Sequence, residues 1–188
     1  MVYIEAKDGW HRHPFTIAST PADRHLRVTV KALGDYTSRL RELLEPGMPA
    51  VVGGPHGRFS HAKGGGDQVW IAGGVGVAPF LSWMRALDEH PVPGRVDLYY
   101  AFSGGPAPFA EELVAIADGR DGVRTHLVDS RADGRLTADR ILADTGVPGS
   151  RLSVFLCGPE PMLRDLQRQL RAAGVRWHRI HREYFDWR

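Results

Sequence analysis

Cysteine is almost absent from this chain: Cys157 is the only one in 188 residues. That excludes an internal disulfide, a cysteine-ligated iron–sulfur cluster and a zinc site built on several cysteines, and it fits a reducing compartment most simply. Long apolar runs are missing as well. None approaches the roughly 18 residues of a membrane span, and the opening stretch M-V-Y-I-E-A-K-D-G-W-H-R-H lacks the apolar core of a secretory signal, so the chain itself reads as soluble. The nine histidines are scattered with no H-E-x-x-H or similar spacing, and no metal site is expected. Charge of one sign is also scarce, with 24 Lys and Arg against 22 Asp and Glu. Neither this balance nor the order of aromatic and basic residues suggests a nucleic-acid partner. Arg164, Arg168, Arg171, Arg176, Arg179, Arg182 and Arg188 make the C-terminal stretch locally basic, for which a solvated helix face is the simplest reading.

What is present is 43% hydrophobic content, enough for one or two globular domains. The chain is organised around residues 69–87. Val69, Trp70, Ile71 and Ala72 read as a buried strand, Gly73, Gly74 and Gly76 as a turn, and Val77, Phe80, Leu81, Met84 and Leu87 as one face of a helix. Pro79 suits the first turn of that helix. A strand that delivers glycines to a helix start gathers free N–H groups and about half a positive charge, which is an anion site. A tight turn with no ligand has the same local pattern. The usual dinucleotide fingerprint also wants an acid at the end of the second strand. That strand, residues 96–102, ends on Ala101 and Phe102, and Pro79 stands where a third glycine belongs.

Ahead of this element the chain reads as β-rich. Strands are expected at residues 2–6, 26–30 and 50–52 and an extended stretch at 13–19, with a short helix opened by Gly34 and Asp35 whose apolar face is Tyr36, Leu40, Leu43 and Leu44. This is part of a small antiparallel barrel, which three or four strands cannot close. The tract H-A-K-G-G-G-D, residues 61–67, reads as a flexible linker, so the expected domains are 1–60 and 67–188. After residue 69 strands and helices alternate: strands at 96–102, 123–128, 152–157 and 178–184, helices at 108–117, 137–142 and 161–173. That order argues an α/β fold with a parallel, doubly wound sheet whose ligands bind at the carboxyl ends of its strands.

Several strand ends carry unusual residues. Asp129, Ser130 and Arg131 could grip an anion or form a plain loop. C-G-P-E-P (157–161) opens a second proline-led helix, with Cys157 a small group beside a ligand or an inert buried hydrophobe. R-E-Y-F-D-W-R (182–188) crowds aromatics at the end of the chain.

Together H-P-F-T (13–16), G-D-Y-T-S-R-L (34–40), G-P-H-G (54–57), G-G-V-G-V-A-P (73–79), C-G-P-E-P-M (157–162) and E-Y-F (183–185) resemble the ferredoxin–NADP reductase superfamily. The spelling H-P-F-T is most similar to the dehydrogenase module of NADPH oxidases and membrane ferric reductases. The resemblance implies a flavoprotein: a parallel NAD(P)-binding sheet preceded by a partial FAD-binding β-barrel. His13 would serve the flavin pyrophosphate, with Pro14 beside it, while Phe15 would lie against the isoalloxazine and Thr16 would hydrogen-bond near N5. Gly34 and Thr37 would bind the FAD diphosphate, and Gly54 and Gly57 belong to the same cofactor set. Gly73, Gly74, Val75, Gly76 and Pro79 would cradle the pyrophosphate of NADPH, and Ser130 and Arg131 would hold its 2′-phosphate, making NADPH favoured over NADH. Cys157, Gly158 and Pro159 would flank the nicotinamide, and Phe185 would cover the flavin; Thr16, Cys157 and Phe185 are thus the catalytic set.

By the same resemblance hydride passes from NADPH to FAD and single electrons go on to haem or ferric iron, the acceptor being a haem-bearing membrane domain and the chain lying at the cytoplasmic face. Two alternatives stand beside this: a soluble reductase for an oxygenase or haem-protein partner, and a nucleotide-binding or docking module without turnover. The last follows from the barrel, which has about two strands fewer ahead of Val2 than the family and so suggests a fragment.

Overall fold

The structure is a computed structural model and describes residues 2–5, 13–105 and 107–183. Its contacts divide into two units, Met1–Arg58 and Phe59–Arg188.

In the first unit three short strands pair antiparallel: β1 (Val2–Glu5), β2 (His13–Phe15) and β3 (Val51–Gly53), in the order β2-β1-β3. Pro14 is tolerated because β2 is an edge strand, where a missing N–H breaks no ladder on the open side. Helix α1 (Asp35–Leu43) forms where the periodicity places it. Only Leu40 of its expected apolar face is buried, while Leu43 and Leu44 are exposed. The strand expected at 26–30 does not form. A single bridge joins Ile17 to Val28, and Leu26 and Val30 are exposed, so the alternation has no covered face to serve.

The second unit holds five parallel strands, β4 (Gln68–Gly73), β5 (Val96–Phe102), β6 (Val123–Asp129), β7 (Ser153–Cys157) and β8 (Ile180–Arg182), in the order β6-β5-β4-β7-β8. Helices α2 (Ala78–Arg85), α3 (Ala110–Asp118), α4 (Ala138–Thr145) and α5 (Glu160–Ala172) connect them. Every residue of β4 is buried, which is why its sequence is a run of apolar residues rather than an alternation. Successive side chains still leave by opposite faces. Val69, Ile71, Val154 and Leu156 pack with Ile141 of α4 and with Leu163, Leu166 and Leu170 of α5. Trp70 and Phe155 join Phe59, Phe80 and Trp83 on the other face, with ring centroids 5.4 Å apart for Trp83 and Phe155 and 4.8 Å for Phe59 and Trp83. The sheet is therefore wound on both sides.

Residues 61–67 are not a free linker. They open with a 3-10 turn, His61–Lys63. The Gly65 N–H donates to Ser153 Oγ at 3.2 Å, and that hydroxyl donates back to the Gly65 carbonyl at 3.1 Å. A Cβ on Gly64 would lie 2.9 Å from the Phe155 ring and 2.7 Å from Gln68 Nε2. The glycines serve close packing against β4 and β7 rather than freedom. Buried Gln68 completes the attachment, its amide donating to the His61 carbonyl at 3.0 Å and accepting from Trp70 Nε1 at 2.8 Å.

Smaller boundary shifts have local causes. The helix expected from 108 begins at Ala110, because Phe109 adopts a left-handed backbone at φ 68°. The helix expected over 137–142 continues to Thr145, where Gly146 stops it in the left-handed conformation. The last strand is shorter than 178–184, since Trp177–Arg179 form a 3-10 turn ahead of Ile180, and residue 184 lies outside the described residues.

Candidate functional site

From β4 the chain builds outward through β5 to β6, then returns to place β7 on the other side of β4. The reversal falls at the carboxyl ends of β4 and β7, where Ala72 pairs with Cys157 and where doubly wound sheets bind their ligands. The glycine turn 73–76 and the C-G-P turn 157–159 leave these two ends side by side.

Four glycines there have three different reasons. A Cβ on Gly76 would stand 2.3 Å from the Cys157 carbonyl oxygen and 2.7 Å from the Gly158 nitrogen; one on Gly158 would stand 2.9 Å from the Gly73 Cα. One on Gly73 would meet Pro159 Cδ at 2.7 Å and Met162 Sδ at 2.8 Å. Gly76 and Gly158 interlock backbone on backbone, while Gly73 abuts the Pro159 and Met162 side chains. Gly74 differs: its φ of +54° asks for glycine, yet nothing lies within 4 Å of its would-be Cβ. The turn is closed toward β7 and open beyond Gly74. The 3-10 turn Gly74–Val77 runs straight into α2, with buried Pro79 in the first helical turn.

The two proline-led helix starts are electrically unlike. α2 has no acid in its first turn. α5 carries Glu160 in its own, bonded to Arg164 at 2.7 Å. An incoming anion meets a bare positive helix end at Gly74 and a neutralised one at Pro159.

Cys157 is fully buried. Burial first, and then the Glu183 carboxylate, push its thiol well above the ordinary range. It is a neutral thiol at physiological pH, so it offers small volume and no charge. The Glu183 N–H donates to the Leu156 carbonyl at 3.0 Å. Phe185 lies outside the described residues.

On the far side of β4, the loops after β5 and β6 are tied together. The Ser130 N–H donates to the Phe102 carbonyl at 2.8 Å. One oxygen of Asp129 accepts the Gly104 N–H at 2.9 Å and the Arg131 N–H at 3.0 Å. The exposed Arg131 side chain lies against Gly104, whose would-be Cβ is 3.0 Å from Arg131 Cδ and Nη1. Arg131 thus leans across the loop that leaves β5, the strand next to β4. Asp129 as a tie between the loops was missed by sequence reasoning. Its signal was available: an Asp accepting the N–H two residues on is a common turn habit.

In the first unit His13 and Tyr36 stack at 3.5 Å, joining H-P-F-T to the start of α1. Tyr36 in this role was also missed. Thr16 follows β2, and its Oγ1 is a buried side-chain oxygen with no hydrogen-bond partner among the described residues. Such an atom costs about 1–3 kcal/mol until something bonds it, so it fits a group that brings its own partner. Gly34 precedes α1 at φ +85°. The Thr37 hydroxyl is committed to Leu33, accepting its N–H at 2.8 Å and donating to its carbonyl at 2.7 Å. With its single proton used, an anion at this helix start would be met by backbone N–H groups. Gly54 and Gly57 follow β3 with φ of +130° and +110°.

A parallel sheet of this order, with a glycine turn packed at its switch point, defines a dinucleotide-binding α/β protein. Residues 70–168 match the family described as oxidoreductase NAD-binding domain, just over half of the chain, and residues 1–71 match an FAD-binding domain. The chain belongs to that oxidoreductase family, with an FAD-binding domain ahead of the NAD-binding one. It is similar to an NADPH oxidoreductase of Mycobacterium tuberculosis, 29% identical over 185 residues, covering 94% of this chain and 48% of the relative. It is similar also to the carnitine monooxygenase reductase subunit of Escherichia coli, 25% identical over 189 residues, covering 98% and 57%. Among solved structures, a cytochrome P450 reductase from Amycolatopsis aligns with TM-score 0.79 and 26% identity, over 97% of this chain and 59% of that one. The chain spans about half the length of the curated relatives it matches. No helix among the described residues is long and apolar enough to cross a membrane.

Proposed function

We propose that this chain is the NADPH-oxidising, FAD-dependent module of an electron-transfer protein, with residues 1–60 holding FAD and residues 67–188 holding the nicotinamide dinucleotide. The observation that supports it most is the interlock at the switch point, where Gly76 meets the Cys157 carbonyl with space for hydrogen alone. It thins two turns to bare backbone at the place where a flat ring and a pyrophosphate would both need close approach.

When bound, the cofactors supply the redox chemistry, hydride passing from nicotinamide to flavin and electrons leaving the flavin singly. The chain's own residues bind and align. Backbone N–H groups from Gly73 to Gly76, ahead of Pro79 and the uncompensated α2 start, receive the pyrophosphate. Ser130 and Arg131 meet the 2′-phosphate, which favours NADPH over NADH. Gly158, Pro159 and the uncharged Cys157 thiol keep the wall beside the nicotinamide small, and the cover over the flavin is assigned to Phe185 by the resemblance alone. His13, Pro14 and Phe15 line the flavin, and the orphaned Thr16 hydroxyl bonds its ring. Gly34, Gly54 and Gly57 shape the diphosphate loops, with Thr37 bracing the first of them. No residue has to give or take a proton; alignment is the whole contribution.

The H-P-F-T spelling supports a haem-bearing membrane domain as acceptor, with the chain at its cytoplasmic face. Likeness to a monooxygenase reductase subunit supports an oxygenase partner instead. Flavin absorbance after incubation with FAD, bleached by anaerobic NADPH and restored by a haem protein or ferric chelate, is the expected result. Retained NADPH binding with no flavin uptake at saturating FAD would leave a docking module without turnover and sink the proposal.

A further inference from the structure

Building on the assignment of the 2′-phosphate to Arg131, we infer that Asp129 is the positioning residue that sets the chain's choice between NADPH and NADH. The side chain that confers the choice is Arg131, but an exposed arginine alone holds no fixed place. What fixes it is the loop beneath. Asp129 closes β6 opposite Phe102, the last residue of β5. Its Oδ1 takes N–H groups from two different loops, Gly104 at 2.9 Å and Arg131 at 3.0 Å. Its own N–H donates to Asp133 Oδ2 at 2.9 Å, and its carbonyl accepts from Ala132 at 3.1 Å and from Asp133. Gly104 at φ +63° then provides a bare surface, and the Arg131 side chain lies on it. The N–H donors from Arg131 and Gly104, ahead of the nearby guanidinium, hold the Asp129 carboxyl below its ordinary range, so it remains an acceptor throughout the physiological window.

This role makes a prediction whose sign separates it from simple charge. A carboxylate beside a phosphate of roughly two negative charges repels it, so if Asp129 acted only through its field, removing it would tighten NADPH. Positioning requires the opposite: Asp129→Ala frees both loops and weakens NADPH. Asp129→Asn keeps an oxygen acceptor for both N–H groups and removes the charge, so it rescues.

The experiment measures affinity for adenosine 2′,5′-bisphosphate against AMP by calorimetry, and kcat and KM with NADPH and NADH, in Asp129→Ala, Asp129→Asn, Arg131→Ala and the double alanine variant. Expected for Asp129→Ala is a roughly tenfold loss of preference for the bisphosphate and for NADPH, carried by KM with kcat unchanged, and recovery in Asp129→Asn. In the double variant the loss should not exceed that of Arg131→Ala alone, because both act through one contact. Equal weakening of AMP and the bisphosphate, tighter NADPH, or additive losses would each overturn the role of Asp129 while leaving Arg131 in place. An Arg131→Ala variant with unchanged preference would overturn the phosphate assignment itself.

Discussion

The two units of this chain bury their apolar residues very differently. In the second, β4 and β7 are covered on both faces, and Trp70, Phe80 and Phe155 are wholly enclosed. In the first, the buried hydrophobic residues among those described are Ala18 and Leu40, while Leu33, Val51 and Val52 are 77%, 57% and 52% exposed. Val51 and Val52 are consecutive in a strand, so both faces of β3 meet water. The second unit supplies its own core. The described residues of the first do not, and its buried Thr16 hydroxyl is left without a hydrogen-bond partner among them.

The sharpest break in this comparison is mutational. Trp70→Ala or Phe155→Ala should cost about 3–5 kcal/mol, seen as a lowered urea midpoint, whereas Val51→Ala should stay within about 0.5 kcal/mol. Comparable losses at both places would mean that the first unit has a core after all. Next comes ligand linkage. FAD at a hundredfold excess over its Kd should raise the opening free energy of amides in residues 13–58 by about 2.7 kcal/mol, read by hydrogen exchange, and leave β4 and β7 unmoved. Uniform protection of both units would contradict it.

A smaller effect belongs to Thr16. Thr16→Val removes an unsatisfied hydroxyl, so apo stability should hold or rise slightly, while FAD affinity falls by about 1 kcal/mol, near fivefold. Titration of FAD into the variant, followed by flavin fluorescence, decides this. The least effect is a slope. Asp97 is buried in the second unit; burial pushes its carboxyl up, but bonds with His126 at 2.9 Å and Arg124 at 3.0 Å outweigh that and hold it below the ordinary range. A depressed native value means stability that is fully present above the unfolded pKa, near 3.9, and lost as pH falls through the native one. Urea midpoints between pH 6 and 2 should therefore fall in the wild type and flatten in Asp97→Asn, for the second unit only.

Where the sequence carried both a period and its punctuation, the fold was legible. Residues 69–87 read largely correctly because a fully buried strand, positive-φ Gly74 and Pro79 each leave their own mark, and all five residues of the expected helix face are buried, although Val77 falls in the 3-10 turn and Leu87 lies past the end of α2 at Arg85. α5 was legible for the same reason, with Leu163, Leu166 and Leu170 turned inward. Residues 61–67 misled because glycine has two opposite uses. Loose and tightly packed glycines look alike in sequence, and only the Phe155 ring against Gly64 tells them apart. The alternation at 26–30 misled because period two records which faces differ, not whether a neighbour exists to cover one. At the candidate site, that Gly76 and Cys157 serve one ligand could be expected from the family resemblance alone. The Asp129 tie could not, since it depends on a loop from another strand arriving within hydrogen-bond reach.

The contact between Gly76 and the Cys157 carbonyl has a consequence for how such a protein diversifies. A seam that admits only hydrogen offers no side chain to vary, so its dimensions are inherited whole. On the proposed assignment of the 2′-phosphate to Arg131, adaptation to a different dinucleotide would be displaced to the rim, where Arg131 rests on Gly104 and an exchange would leave the joint undisturbed.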